Sequence, residues 1–288
     1  MILFKKKNPL DQLLQRMRER EEKRFLIFWN RGLGDLALGL YAIIFRIRES
    51  IPDASITFLT RVDLKDGFSL LPGVTAICCP SWRRSFPVDC EKSLKEAGLL
   101  REDFDQIIEW PDPTKWCRWQ LGALTPRLFW DPTWDVATCE KESIAVHVQT
   151  ETLYGYEKNW PASYFHTLFE QIVGKKGASL ILLGKQSDLQ FQQKGVNDLR
   201  GKTSLFEMLS LIKNQCHTLI APDSGILSLI YYLDVAFPLK LISLWADPCQ
   251  GVLKQNVTSP NPLLIHRPLI GQAGNIKNIS IQDVLSEC

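Results

Sequence analysis

Short apolar runs rich in β-branched and aromatic residues alternate with amphipathic stretches along this chain, and they do so in two successive series. In the first, residues 25–29, 55–59 and 74–78 read as strands, residues 105–109 as a less apolar fourth, and residues 36–48 as a helix entered through a loop at 30–35. The second opens with a strand at 143–148. It runs on through a helix at 161–173, a strand at 179–183, a helix starting near Ser204, a strand before Pro222, a helix after Gly225 and a strand at 240–244. A short helix at 280–287 closes it, with Ser280 suited to an N-cap. Strands separated by helices imply parallel sheets wound in βαβ units. The expectation is an α/β chain of two doubly wound halves facing across a cleft, with the ligand site outside the carboxyl ends of the strands.

Composition sets the remaining bounds. The chain has 288 residues, 45% of them hydrophobic and 23% charged, with a net charge of +2, which is an ordinary globular balance and gives no reason to expect a nucleic-acid partner. No apolar run reaches the ~18 residues of a membrane span, and the N-terminus lacks the apolar core of a secretory signal. A cytoplasmic location is expected. The eight cysteines (78, 79, 90, 117, 139, 216, 249, 288) form no Cys-x-x-Cys pair and have no histidines at ligand spacing, so they read as reduced small hydrophobes rather than metal ligands or a disulfide framework.

Charge is concentrated at the start, where residues 1–24 carry eight Lys or Arg against four acids. Leu10, Leu13, Leu14 and Met17 fall at helical spacing, giving a basic amphipathic helix that suits either a membrane surface or packing on the body of the protein. Between residues 110 and 134 lie five tryptophans (110, 116, 119, 130, 134) and four prolines (111, 113, 126, 132), which reads as an irregular connector. Its rings suit an interdomain joint, or a cover over a sugar or lipid-linked substrate.

Four constellations can carry chemistry. Thr218 to Leu233 reads strand, turn, helix, with Pro222-Asp223-Ser224-Gly225 at the turn; the first N–H groups of such a helix and its dipole can receive a diphosphate, while Asp223 or Ser224 would otherwise simply cap it. Gly32-Leu33-Gly34-Asp35-Leu36-Ala37 formally satisfies the dinucleotide fingerprint, yet the ribose-reading acid is missing, Arg61 standing in that region instead to meet a 2′-phosphate. Asp35 fits better as a general base held ionised at a helix N-terminus, with N-capping as its structural alternative. In Tyr156-Glu157-Lys158-Asn159-Trp160-Pro161, Lys158 would face phosphate. In Asp198-Leu199-Arg200-Gly201-Lys202-Thr203-Ser204-Leu205, Ser204 and Glu207 form a capping box, Asp198 would accept from a ribose hydroxyl and Lys202 would face phosphate.

In this order the motifs resemble those of glycosyltransferase family 9, the ADP-heptose:lipopolysaccharide heptosyltransferases. The likeness rests on Arg31-Gly-Leu-Gly-Asp35, Lys158-Asn-Trp-Pro161, Leu182-Leu-Gly184, Gly201-Lys-Thr-Ser-Leu205, Asp223-Ser-Gly225 and Ala246-Asp-Pro248. It implies a GT-B fold of two Rossmann-like domains: a basic helix over 1–23, an acceptor-side domain over 24–140 with the connector 110–134, and a nucleotide-sugar-binding domain over 141–288 with the terminal helix. It further implies a metal-independent, inverting transfer of a heptose-like sugar from an ADP-heptose-like donor to a lipid-linked glycan such as the lipopolysaccharide core. Asp35 would deprotonate the acceptor hydroxyl, with Gly32 and Gly34 shaping the acceptor-side loop. Lys158, Lys202 and the amides at Ser224-Gly225 would offset the charge of the leaving diphosphate, and Asp223 would touch the sugar or the diphosphate. No cofactor is implied, the partners are the nucleotide sugar and the glycan, and residues 1–24 offer peripheral contact with the cytoplasmic face of the inner membrane.

The sequence departs from the family pattern at Ser228, where a histidine is usual, and at Pro222, where asparagine is common. Two other readings follow: a homologue that binds nucleotide sugar or glycan without turnover, and an NADP-linked oxidoreductase built on residues 32–37.

Overall fold

The computed structural model describes residues 8–84, 86–136, 142–152, 156–176 and 178–288. The chain separates into two compact units, Met1–Phe129 and Trp130–Cys288. The sequence-based boundary at 140/141 falls on residues 137–141, outside the described residues, as do Lys5, Lys6 and Lys7 of the basic N-terminal segment.

Unit 1 begins with α1 (Pro9–Glu19), which leads into β1 (Arg24–Trp29). A π-helical turn (Leu36–Leu40) runs straight into α2 (Tyr41–Ser50), followed by β2 (Ser55–Thr60), α3 (Lys65–Phe68), β3 (Thr75–Cys78), α4 (Cys90–Ala97), β4 (Gln106–Ile108) and α5 (Pro113–Trp116). The sheet is parallel in the order β3-β2-β1-β4. All of β1 after Arg24 is buried, as a central strand covered on both faces must be. The order places β1 beside β4 while β2 and β3 lie on its other side, so the loops after β1 and β4 diverge at a topological switch point.

The amphipathic helix packs on the body. Leu10, Leu14 and Met17 of α1 are buried, α1 lies on α2, and Asp11 pairs with Arg46 at 2.9 Å. The apolar stripe that the sequence offered to a membrane surface is therefore inside unit 1. Its outer face carries Arg16, Arg18 and Arg20. Among the described residues, no helix is long and apolar enough to cross a membrane.

Unit 2 contains β5 (Ser143–His147), α6 (Ala162–Lys176), β6 (Ser179–Leu183), β7 (Val196–Asp198), α7 (Leu205–Gln215), β8 (Cys216–Pro222), α8 (Gly225–Tyr232), β9 (Leu239–Trp245), α9 (Gly251–Gln255), β10 (Leu264–Ile270) and α10 (Ile281–Glu287). Its six strands are parallel in the order β10-β9-β8-β5-β6-β7, so the switch point lies between β5 and β8. One core face joins Val146, Leu182, Ile220 and Leu244 to Trp160, Phe165, Phe169 and Ile172.

The aromatic connector divides between the units. Within unit 1, Trp119 packs on Phe45 and Arg46, and Asn8 donates to the Trp116 carbonyl at 2.7 Å. Within unit 2, Trp130 meets Trp134 edge-on and Trp134 stacks on Phe206 at 4.1 Å. Each set packs within its own unit, Trp130 buried and Trp116, Trp119 and Trp134 half-buried, whereas Trp110 stays 65% exposed.

Candidate functional site

In unit 1 the loop between β1 and the π-helical turn is tied from three directions. Asn30 donates to the carbonyls of Arg83 and Phe86 at 3.0 and 3.2 Å, and Arg31 donates to that of Pro111 at 3.3 Å. Arg61, 5% exposed, donates to the Asn30 side chain at 2.8 Å and the Arg31 carbonyl at 3.1 Å while pairing with Asp63 at 2.8 Å. Arg61 is thus a brace for this loop and not a reader of a 2′-phosphate.

Asp35 turns back on the loop. Its Oδ2 accepts from the Gly32 N–H at 2.9 Å, and it makes no capping bond to the turn that follows, so the N-cap alternative is not the one adopted. A Cβ built on Gly32 would lie 3.3 Å from Asp35 Oδ2 and 3.3 Å from Arg84 Nη2, so carboxylate and guanidinium converge on the bare face of that glycine. Gly34 accepts from the N–H groups of Ala37 and Leu38 at 3.2 and 3.1 Å, closing the turn below. The dinucleotide reading fails here: the carboxylate holds the Gly32 amide that a pyrophosphate would need, and its charge would repel that group. The chain then widens into the π-helical turn, an arrangement found often at functional sites.

In unit 2 the residues gather at the carboxyl ends of β5 and β8. Ser224 caps α8, its Oγ accepting from the Leu227 N–H at 3.2 Å, and it lies 3.1 Å from Nδ1 of His147, the last residue of β5. The two share a hydrogen bond whose donor is set by the imidazole tautomer. Burial pushes the His147 pKa down to about 4. Its ring lies against Gly184, whose φ is +121° and whose Cβ would stand 2.6 Å from His147 Cδ2; only glycine satisfies both demands at the turn after β6.

Asp223, 6% exposed, completes the group. Its Oδ2 accepts from Lys158 Nζ at 2.7 Å and from the Tyr156 hydroxyl at 2.6 Å. Lys158 stands on a rigid mount because the rest of its motif is structural. Asn159 exchanges two bonds with the Thr150 backbone (2.7 and 2.9 Å), buried Trp160 donates to the Ile279 carbonyl at 3.0 Å, and Pro161 leads into α6.

Asp198 is engaged by a neighbour in its own loop. It takes Arg200 in a fork, Nε at 2.9 Å and Nη2 at 2.6 Å, with the Arg200 side chain buried, and so fastens the loop after β7. Exposed Lys202 donates to the Asp198 carbonyl at 2.7 Å. The capping box of Ser204 and Glu207 forms as the sequence suggests. The Gly201 N–H bonds to the Gly184 carbonyl at 2.8 Å, which ties this loop to the turn beneath His147. Ser228 stands where the family pattern has histidine. It is 1% exposed and donates to the Ser224 carbonyl at 3.1 Å, inside α8.

Sequence reasoning assigned no role to His147, Tyr156, Arg84 or Gly251. His147 carries a signal after the fact, being the polar residue inside the apolar run 144–148. Arg84 reaches the site from a distant segment, and no spacing rule marks it. Among the described residues, no group of three or more His, Cys, Asp or Glu side chains is placed to hold a metal ion.

Two parallel α/β units in tandem, each with its candidate residues on the loops at the carboxyl ends of its strands, define the class: this is the GT-B fold of glycosyltransferases. The profile of glycosyltransferase family 9 (heptosyltransferase) matches residues 125–246, and with the fold this classes the chain with the glycosyltransferases. Similar solved structures include ADP-heptose lipopolysaccharide heptosyltransferase II of E. coli, with 18% identity and TM-score 0.60 over 92% of this chain and 97% of that one. A glycosyl transferase family 9 protein of Veillonella parvula DSM 2008 follows, with 15% identity and TM-score 0.57 over 92% and 95%. The E. coli heptosyltransferase WaaC with ADP matches at 13% identity and TM-score 0.54 over 91% and 98%. At such identities the likeness speaks for the fold. No curated protein sequence matches the chain.

Proposed function

We propose that this protein transfers a heptose-like sugar, with inversion and without a metal ion, from an ADP-sugar to a lipid-linked glycan acceptor such as the lipopolysaccharide core. The observation that carries the reading is the set of groups at the tip of α8, where Lys158, Asp223 and Ser224 meet beside the β5/β8 switch point. The diphosphate would dock on the first amides of α8, helped by Lys158 and by Lys202 once it leaves the Asp198 carbonyl. Asp223 would receive the sugar or the inner edge of the diphosphate. Asp35 would take the proton from the acceptor hydroxyl as that oxygen attacks the anomeric carbon and the nucleoside diphosphate departs. Two cationic side chains and a helix terminus then do what a divalent ion does in other transferases.

The acceptor would meet unit 1 at the loop holding Gly32 and Gly34, where Arg31 and Arg84 lie close by. Because the apolar stripe of α1 is buried, contact with the cytoplasmic face of the inner membrane would be electrostatic, through Arg16, Arg18 and Arg20.

Asp35→Asn tests the reading. Transfer of radiolabelled sugar from ADP-heptose to a lipopolysaccharide-core acceptor should fall by at least about a hundredfold, the usual contribution of a general base, while ADP affinity stays within about twofold. Unchanged turnover in this variant would assign the proton to another group. Ser228 in the place of histidine favours a second reading, donor binding without transfer. Under that reading the wild type would bind ADP yet give no product with any acceptor tried.

A further inference from the structure

Asp223 is a buried carboxylate at the place where the proposed function sets down a diphosphate, and two anions so close repel. Lys158 neutralises it in this structure at 2.7 Å. A phosphate that draws Lys158 away would leave Asp223 facing the cost of a charge with its cation removed. What distinguishes the arrangement is Tyr156. Its hydroxyl donates to the same oxygen, Asp223 Oδ2, at 2.6 Å, and the Lys158 ammonium sits 4.9 Å from the centre of its ring. One side chain therefore touches both members of the pair, through two different kinds of interaction.

The backbone makes room for the other carboxylate oxygen. A Cβ on Gly251, whose φ is +50°, would stand 2.6 Å from Asp223 Oδ1 and 2.7 Å from the Trp245 ring, so bare backbone is what admits the carboxylate there. With the Tyr156 hydroxyl on Oδ2, Asp223 keeps a hydrogen-bond partner whether or not Lys158 stays. A phenol suits this role because it donates a charge-assisted hydrogen bond while carrying no charge of its own to compete for the phosphate. Its ring keeps a favourable face toward the ammonium as that group moves.

We propose that Tyr156 is a positioning residue for the donor: it holds Asp223 so that Lys158 is released to bind the diphosphate. The inference rests on the reading of unit 2 as the donor site. Without the hydroxyl, Asp223 would keep Lys158, and the incoming phosphate would have to compete with a buried carboxylate for its cation.

The test is ADP binding by isothermal titration to the full chain, to Tyr156→Phe, to Lys158→Ala and to the double variant, each with its thermal midpoint recorded. Tyr156→Phe should weaken ADP by roughly tenfold, the scale of one hydrogen bond to a charged group. In the Lys158→Ala background the same substitution should add less than about twofold, since no ammonium remains to be released. ADP affinity unchanged in Tyr156→Phe overturns the proposal, and so does a lowered midpoint with affinity intact, which is a purely structural role. Effects that multiply in the double variant also overturn it, because Tyr156 would then act independently of Lys158. Failure of the wild type to bind ADP at all would remove the donor-site reading itself, an outcome separate from these.

Discussion

His147 and His266 are two imidazoles in unit 2 that burial keeps neutral, each with a pKa pushed down to about 4. Each shares a hydrogen bond with a serine hydroxyl, Ser224 with His147 at 3.1 Å and Ser243 with His266 at 2.6 Å, the latter oxygen also accepting from Trp245 Nε1. In the unfolded chain each would titrate near 6.5. Between that value and about 4 the unfolded state binds protons that the folded state refuses, so stability falls as pH falls and is complete only above 6.5. The loss approaches about 3 kcal/mol per histidine at the lower end of the window, a large share of the ~5 to 15 kcal/mol that holds a domain together. Urea unfolding of unit 2 followed at pH 7, 6, 5 and 4.5 should show a slope approaching two protons. His147→Gln, which keeps a hydrogen-bond partner for Ser224, should reduce that slope by one, and a flat profile over the same range would contradict the neutral buried state of both rings.

At the level of elements, α1 decides between burial and display. Leu10, Leu14 and Met17 are at most 1% exposed, so Leu14→Ala should destabilise unit 1 by about 2 to 5 kcal/mol, read as a lower urea midpoint. A midpoint unmoved by the change would mean that the helix is docked loosely enough to leave the body. The sequence marked this stripe but not its destination, because helical spacing of leucines is the same for a core face and a membrane face. Elsewhere the strands were legible wherever both faces are covered, since β1, β5, β6, β8 and β9 are mostly apolar and buried along most of their length. β10 went unread: its burial alternates, it is an edge strand, and it contains Pro268, tolerated where one side of the strand has no partner. β7 was hidden for a related reason, being three residues long on the opposite edge and ending in the polar loop that Asp198 and Arg200 tie together.

Over the whole molecule, the candidate residues divide by kind between the two units. Asp35 and the arginines beside it belong to unit 1, whereas Lys158, Lys202 and the tip of α8, the groups proposed to meet phosphate, belong to unit 2. Glycines and short motifs made most of this division readable, because a bare turn after a strand has few other uses. The partners of those motifs were not readable: Tyr156 with Asp223, His147 with Ser224 and Arg84 with Gly32 each join segments that only the fold brings together. The division makes a prediction that separates a nucleotide-sugar transferase from a dinucleotide enzyme, for which the first βα turn of unit 1 would carry the phosphates. With ADP saturating, amide hydrogen exchange should slow at residues 146–152, 156–160, 199–205 and 222–228, where the diphosphate would bind backbone N–H groups and Lys158, and should stay unchanged at residues 30–37. Such slowing follows because a ligand bound to the folded state raises the free energy of local opening by RT ln(1 + [L]/Kd), about 2.7 kcal/mol at a hundredfold excess over Kd. Protection centred on residues 30–37, with none at 222–228, would place the nucleotide on the glycine turn of unit 1 and end the assignment of α8 as the diphosphate seat.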